Sequence, residues 1–253
     1  MSYCVYLKRK QALPAEPVAR LISEISGLSL ADGQQMVRRC RGFLIEHLEA
    51  GSALQLVDGL KRLGIEAECR QIRELVSNPR AITIRSGQFT PQTCTVQDWK
   101  SQNETMSWED VFFISVTCLK ELEVPESVRK KMKQDSSAEI DETRREPREK
   151  KAYLLDFFTG EPRSHYRIQS SEFRYDYLGE RLQGSSVANF SSMLHDFDGF
   201  ASSARRDEGF KAALEQKWDE IPAFTALYEV DEHHRWILQT LSQSRSSVHR
   251  RSF

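Results

Sequence analysis

The sequence lacks any apolar run near the ~20 residues needed to cross a bilayer; its longest, Tyr153 to Phe158 and Val111 to Ile114, span a few residues each. It also lacks an excess of either charge. With 36 Lys and Arg against 37 Asp and Glu in 253 residues, a uniformly basic nucleic-acid coat and an acidic disordered tail are both excluded. Cysteines are few and scattered: Cys4, Cys40, Cys69, Cys94 and Cys118 form no C-x-x-C pair, so neither a disulfide framework nor a zinc ribbon is indicated. The stretch Met1 to Lys8 carries its charge after its apolar residues, the reverse of a secretory signal. The expectation is a soluble, cytoplasmic protein with reduced thiols, no membrane partner and no cofactor.

Catalytic signatures are missing as well. There is no G-x-S-x-G, P-loop, dinucleotide fingerprint or H-E-x-x-H. Of the six histidines, only His233 and His234 are adjacent, and neighbours on a helix point to different sides, unlike an i, i+4 ligand pair. No catalytic or metal-ligating residue is assigned. Phe173, Tyr175 and Tyr177 read as core and hairpin edge, with only Arg174 and Arg181 beside them, so a base-stacking platform and a nucleic-acid partner are not expected.

What is present is a legible first domain, residues 1–76. Tyr3, Val5 and Leu7 share one face of a strand, with Cys4 and Tyr6 on the other. Val18, Leu21, Ile22 and Ile25 follow at helical spacing, with Pro17 suited to the helix start and Gly27 to its end. Ser29 with Asp32 predicts the cap of a second helix, which stops at Gly42. Phe43 to Leu48 reads as a strand. Ser52 with Gln55 reads as the capping box of a third helix closed by Gly64, and Ile65 to Ile72 as a last strand. The order β-α-α-β-α-β predicts a two-layer α/β sandwich, three helices on one side of three strands.

The run Ile25 to Gly33, then Val37, then Leu60 to Glu68, resembles the C-terminal domain of the bacterial ribosomal stalk protein, with its "T-G-L-x-L-x-E-A" turn and "L-x-x-A-G-A-x-V-E" ending. The resemblance covers about 75 residues. It implies that fold, shared with Clp-protease adaptors, and a partner-docking role. The lysine-rich first helix through which that family binds is replaced here by a mixed face, Glu16, Arg20 and Glu24, with positive charge instead at Arg38, Arg39 and Arg41 around the end of the second helix; Arg20, Arg38, Arg39 and Arg41 are the candidate protein-binding residues of this domain.

Past Asn78-Pro79 the periodicity changes to two. Residues 80–203 are expected to form an antiparallel β-barrel sealed by one amphipathic helix bearing Val187, Phe190, Leu194 and Phe197. A turn is expected at Ser86-Gly87, with strands over Phe89–Val96, Thr105–Leu119 and Tyr153–Thr159, and a hairpin returning through Ser164 to Ile168. This arrangement, with its Trp108-Glu109-Asp110-Val111 strand start, resembles a pleckstrin-homology-like (PH-like) barrel. Its first hairpin carries only Arg80 and Arg85, too little charge for a lipid headgroup. Residues 120–151, with ten basic and nine acidic side chains, read as a disordered charged insertion. Residues 206–253 read as C-terminal helices and tail, with Trp218 and Trp236 as further protein-binding candidates and homo-oligomerisation through these helices conceivable.

The fold class expected is therefore α+β. The function expected is that of a non-enzymatic interaction or scaffold protein. The alternatives left open are an adaptor for a ribosome-associated factor or protease, and an enzyme whose site lies between the domains.

Overall fold

A computed structural model of the chain describes residues 1–123, 148–160 and 163–249. The fold is α+β, and contacts divide it into two units, Met1–Asn78 with Tyr228–Phe253, and Pro79–Leu227. The segment 206–253, read from sequence as one tail, is thus shared between them.

In the first unit, β1 (Tyr3–Leu7) lies between β2 (Phe43–Leu48) and β3 (Ala67–Gln71), antiparallel to both. Helices α1 (Ala15–Ser26), α2 (Leu30–Arg39) and α3 (Ala50–Arg62) complete the expected element order. The strand's period of two decides what lies where. Val5 and Leu7 turn toward the helices, where Val18, Ala19, Ile22, Val37, Leu56 and Leu60 close a core. Cys4 and Tyr6 turn the other way, onto Trp236 and Ile237 of α6 (Leu227–His249). The small sheet is therefore covered on both faces, and the C-terminal helix is part of this unit.

The local signals mostly act as expected. Gly27 adopts the left-handed conformation that ends α1, and the Ser29 hydroxyl accepts from the Asp32 amide to cap α2. Three boundaries differ. Helix α1 begins at Ala15, so Pro17 sits in its first turn, where an absent N–H is harmless. Helix α2 ends at Arg39, short of Gly42. Helix α3 begins at Ala50 behind Glu49, which places Ser52 inside the first turn and leaves the Ser52/Gln55 box unmade.

The second unit is an open, mixed sheet of eight strands rather than a closed antiparallel barrel. Its order is β10-β7-β8-β9-β4-β5-β6, with β11 also on β7. These strands are β4 (Ile82–Phe89), β5 (Cys94–Asp98), β6 (Asn103–Met106), β7 (Val111–Glu123), β8 (Arg148–Thr159), β9 (His165–Gln169), β10 (Arg205–Arg206) and β11 (Ala223–Phe224). Closure would require β6 to reach the free edge of β7. That edge is occupied by β10 and β11, both parallel to it, and β4 runs parallel beside β9.

The expected turn at Ser86-Gly87 lies inside β4, which shifts register past Arg85; a Cβ on Gly87 would stand 2.8 Å from the Thr95 carbonyl, so glycine permits close strand approach there. Residues 120–123 and 148–151, expected within the charged insertion, extend β7 and β8, and the register sets Glu121 opposite Lys150 and Glu123 opposite Arg148. The rest of that insertion lies outside the described residues.

One face of this sheet packs under α4 (Ser186–Phe200) and α5 (Glu208–Leu214). Ile114, Val116, Leu155, Phe157 and Ile168 meet Phe190, Met193, Leu194, Phe197 and Phe210 in the larger core. Val187, expected on the buried stripe of α4, is exposed, and Met193 takes the interior position. Phe173 and Tyr175 are core residues, as expected. Among the described residues no helix is long and apolar enough to cross a membrane.

Candidate functional site

One outward surface of the first unit is the turn between α1 and α2 with the outer stripe of α2. Leu28 and Leu30 are 37% and 40% exposed there, large for leucine. The turn that holds them is tied by three hydrogen bonds. Ser23 Oγ donates to the Leu28 carbonyl at 2.5 Å, Ser29 Oγ donates to an Asp32 carboxylate oxygen at 2.6 Å, and the Gly33 amide returns to the Ser29 carbonyl. A Cβ on Gly33 would lie 2.7 Å from the Ala19 carbonyl, so this glycine lets α2 cross tightly over α1 and holds the turn outward. The exposed stripe then runs through Ala31 and Gln35 to Arg38 and Arg39.

The six candidate residues are placed very differently. Arg20 is exposed and paired with Glu16 at 2.6 Å, one turn away on α1. Arg38 and Arg39 are exposed and make no ion pair among the described residues, although the Gln35 side-chain oxygen can accept from Arg39 at 2.8 Å. Arg41 is turned into the unit, paired at 3.2 Å with the largely buried Glu229 of α6. Trp236 is interior, 7% exposed, its indole Nε1 donating to the Leu7 carbonyl at 2.6 Å; it belongs to the core rather than to an accessible face. Trp218 lies in the second unit, half-buried against Tyr153, with ring centroids 4.8 Å apart. The structure does not bring the six together.

Trp218 borders an open groove of about 560 Å³, to which Arg181, Gln183, Ser191, His195 and Gln216 contribute. Arg181 is held by two 2.9 Å hydrogen bonds to Asp196, which also accepts from the Tyr177 hydroxyl at 3.1 Å. Burial, reinforced by that carboxylate, pushes the Tyr177 hydroxyl far above its ordinary range. His195 Nδ1 donates to the Ser191 carbonyl at 2.8 Å, so the other ring nitrogen is the one left to a ligand. This groove had no sequence signal, because its residues come from two separate segments, 181–195 and 216–218.

A row of buried polar groups was likewise missed. Ser115 on β7 stands opposite Asp156 on β8, which stands opposite Arg167 on β9. Asp156 Oδ1 accepts from His165 Nε2 at 2.6 Å and from Arg167 Nε at 2.7 Å, and His165 Nδ1 lies 3.2 Å from the Pro79 carbonyl. At the row's end Asp207, the N-cap of α5, accepts from Ser115 Oγ at 2.5 Å and from the amides of Phe210 at 2.7 Å and Val116 at 3.3 Å. Burial, reinforced by the negative charge of Asp156, pushes the Asp207 carboxyl up to about 6 against its three hydrogen bonds. Ser115, Asp156 and His165 are fully buried and Arg167 nearly so. Their chemistry suits specifying strand register: each buried charge has a charged or hydrogen-bonding partner directly across the ladder.

Comparison of the chain with protein-family models, with curated proteins and with solved structures finds no match.

Proposed function

We propose that the chain is a non-enzymatic interaction protein whose first unit docks a protein partner through the α1–α2 turn and the outer stripe of α2. The observation that carries this reading is the pair Leu28 and Leu30, held out on a turn pinned by three hydrogen bonds. Rigid apolar groups in that setting lose little entropy on binding, which is what makes a few residues dominate an interface. Arg38 and Arg39 lie further along the same stripe, without carboxylate partners among the described residues, so the complementary surface is apolar side chains flanked by acids. The β-α-α-β-α-β order, like that of the stalk-protein domain, supports the same reading of this unit as a docking module.

The test is parallel capture on the tagged full chain, on the variant Leu28→Ser/Leu30→Ser and on the variant Arg38→Glu/Arg39→Glu, each first shown to keep its circular-dichroism spectrum. A partner retained by the unaltered chain is expected to be lost by the leucine variant. The arginine variant should hold it about tenfold more weakly at low salt. The same proteins retained equally by all three would overturn the reading.

A further inference from the structure

The end of the small sheet where β1 leaves it gathers exposed cations from three connections, and we infer that it binds an acidic segment of a protein partner. The Leu7 amide donates to the Gly42 carbonyl at 2.8 Å and the Lys8 amide to the Glu66 carbonyl at 3.0 Å. With Tyr6 opposite Phe43 and Leu7 opposite Ala67, these bonds hold residues 8–10, 38–42 and 61–66 at one end of the unit. Lys8, Arg9 and Lys10 come from the first segment, Arg38 and Arg39 end α2, Lys61 and Arg62 end α3, and all are exposed. The one carboxylate in these segments is that of Glu66, paired with Arg9 at 3.0 Å. Lys8, Arg38, Arg39, Lys61 and Arg62 make no ion pair among the described residues. In a chain of formal net charge -1 this is a local excess that attracts anions. Complementing the dipoles of α2 and α3 accounts for the cations that end those helices, but not for Lys8, Arg9 and Lys10 on the neighbouring connection.

Three features of the same surface favour carboxylates on a polypeptide over a phosphate backbone. Helices α2 and α3 both finish here, so the carbonyl ends of two helix dipoles lie among the cations. A peptide brings N–H donors for those carbonyls together with its acids, whereas phosphates bring acceptors only. Leu63, next to Arg62, is 41% exposed and offers an apolar contact that a phosphate chain leaves unused. None of residues 8–10, 38–42 and 61–66 is aromatic, so a base has nothing to stack on. The inference rests on the reading of this unit as a docking module and extends it: the α2 stripe leads from Leu30 to Arg38 and Arg39, and the partner's acids continue from there onto Lys8, Lys61 and Arg62.

The test is fluorescence anisotropy on the full chain with a labelled peptide of repeating glutamate, aspartate and leucine, its glutamine, asparagine and leucine counterpart, and single-stranded and duplex RNA of similar length. The acidic peptide is expected to bind at low salt, at least tenfold tighter than its neutral counterpart and than either RNA, and to weaken as salt rises. Lys61→Glu/Arg62→Glu should cost at least tenfold. Lys61→Ala/Arg62→Ala, which keeps helix propensity, should cost at least threefold. Arg73→Glu/Arg80→Glu carries the same net-charge change as the first variant and should cost less than twofold. Loss of the peptide in Leu28→Ser/Leu30→Ser with full binding by the Lys61/Arg62 variants would keep the docking face and overturn the cationic end; the reverse pattern would keep the cationic end and remove the leucine face. Tighter binding of either RNA, binding of no probe, or equal loss in both charge-reversed variants would also overturn the inference.

Discussion

Replacing Gly42 with alanine should cost roughly 3–5 kcal/mol of stability, the size of a lost aromatic anchor in a core. A Cβ at this position would lie 2.1 Å from Cγ of Trp236, with backbone on one side and the indole on the other. Gly42 also sits at φ 121°, which an alanine adopts only with strain. The methyl group and the indole cannot both stay, so Trp236 leaves, taking with it the hydrogen bond to the Leu7 carbonyl and the cover over Cys4 and Tyr6. Burial pushes the Cys4 thiol far above its ordinary range and keeps it unreactive. Rapid alkylation of Cys4 in folded Gly42→Ala, and slow alkylation in the unaltered chain, is the accompanying readout. Trp236→Phe should be milder, about 1–3 kcal/mol, because it strands the Leu7 carbonyl but keeps an aromatic ring.

The second large effect is a pH dependence centred on Asp207. Its folded value, about 6, lies above the ordinary 3.8. Between those pH values the folded chain therefore holds a proton that the unfolded chain has released. Stability from this group is fully present below pH 3.8, falls as pH rises to 6, and is flat above, a total of about 3 kcal/mol. Asparagine mimics the protonated acid: it can still cap the Phe210 amide and meet Ser115. Asp207→Asn is thus expected to be the more stable protein at pH 7.5 and to lose this slope, as read by urea melts at several pH values. Asp207→Ala loses the cap and the hydrogen bond from Ser115, and should be less stable than Asp207→Asn throughout.

His233 supplies the opposite slope. Burial, with Lys10 and Arg41 nearby, lowers it from 6.5 to about 4, so stability is lost as pH falls through that window, again by about 3 kcal/mol. In the unaltered chain the two slopes oppose each other. In Asp207→Asn the His233 slope should stand alone, and stability should fall steadily from pH 6.5 toward 4.

The parts of this fold legible in the sequence were those written in short-range pattern. The alternation of Tyr3 to Leu7 assigned both faces of β1, and Gly27, Ser29 and Asp32 marked the α1–α2 turn that carries the proposed docking face. The parts that were not legible depend on distant partners. Nothing near Trp236 says that its ring lies on Gly42; the sequence shows only an amphipathic helix with Trp236 among its apolar positions, a candidate for binding as much as for the core. The pairing of β10 and β11 with β7 involves two residues each, too few for any periodicity, yet it occupies the edge that a barrel would have needed. Asp156, His165 and Arg167 alternate with apolar residues just as solvent-facing ones do, and only their neighbours across the ladder show that they are buried. Gly87 looked like a turn because glycine serves turns and close strand contacts alike.

The claim on which the first unit rests is that α6 is structural, closing the sheet and leaving the α1–α2 stripe as an outward surface. Native-state hydrogen exchange on the full chain tests it most directly. The amides of Tyr3 to Leu7 and those around Trp236 to Leu238 are expected to open with the same free energy, one cooperative unit. Exchange of the Trp236 segment orders of magnitude faster than β1, with β1 still protected, would contradict it.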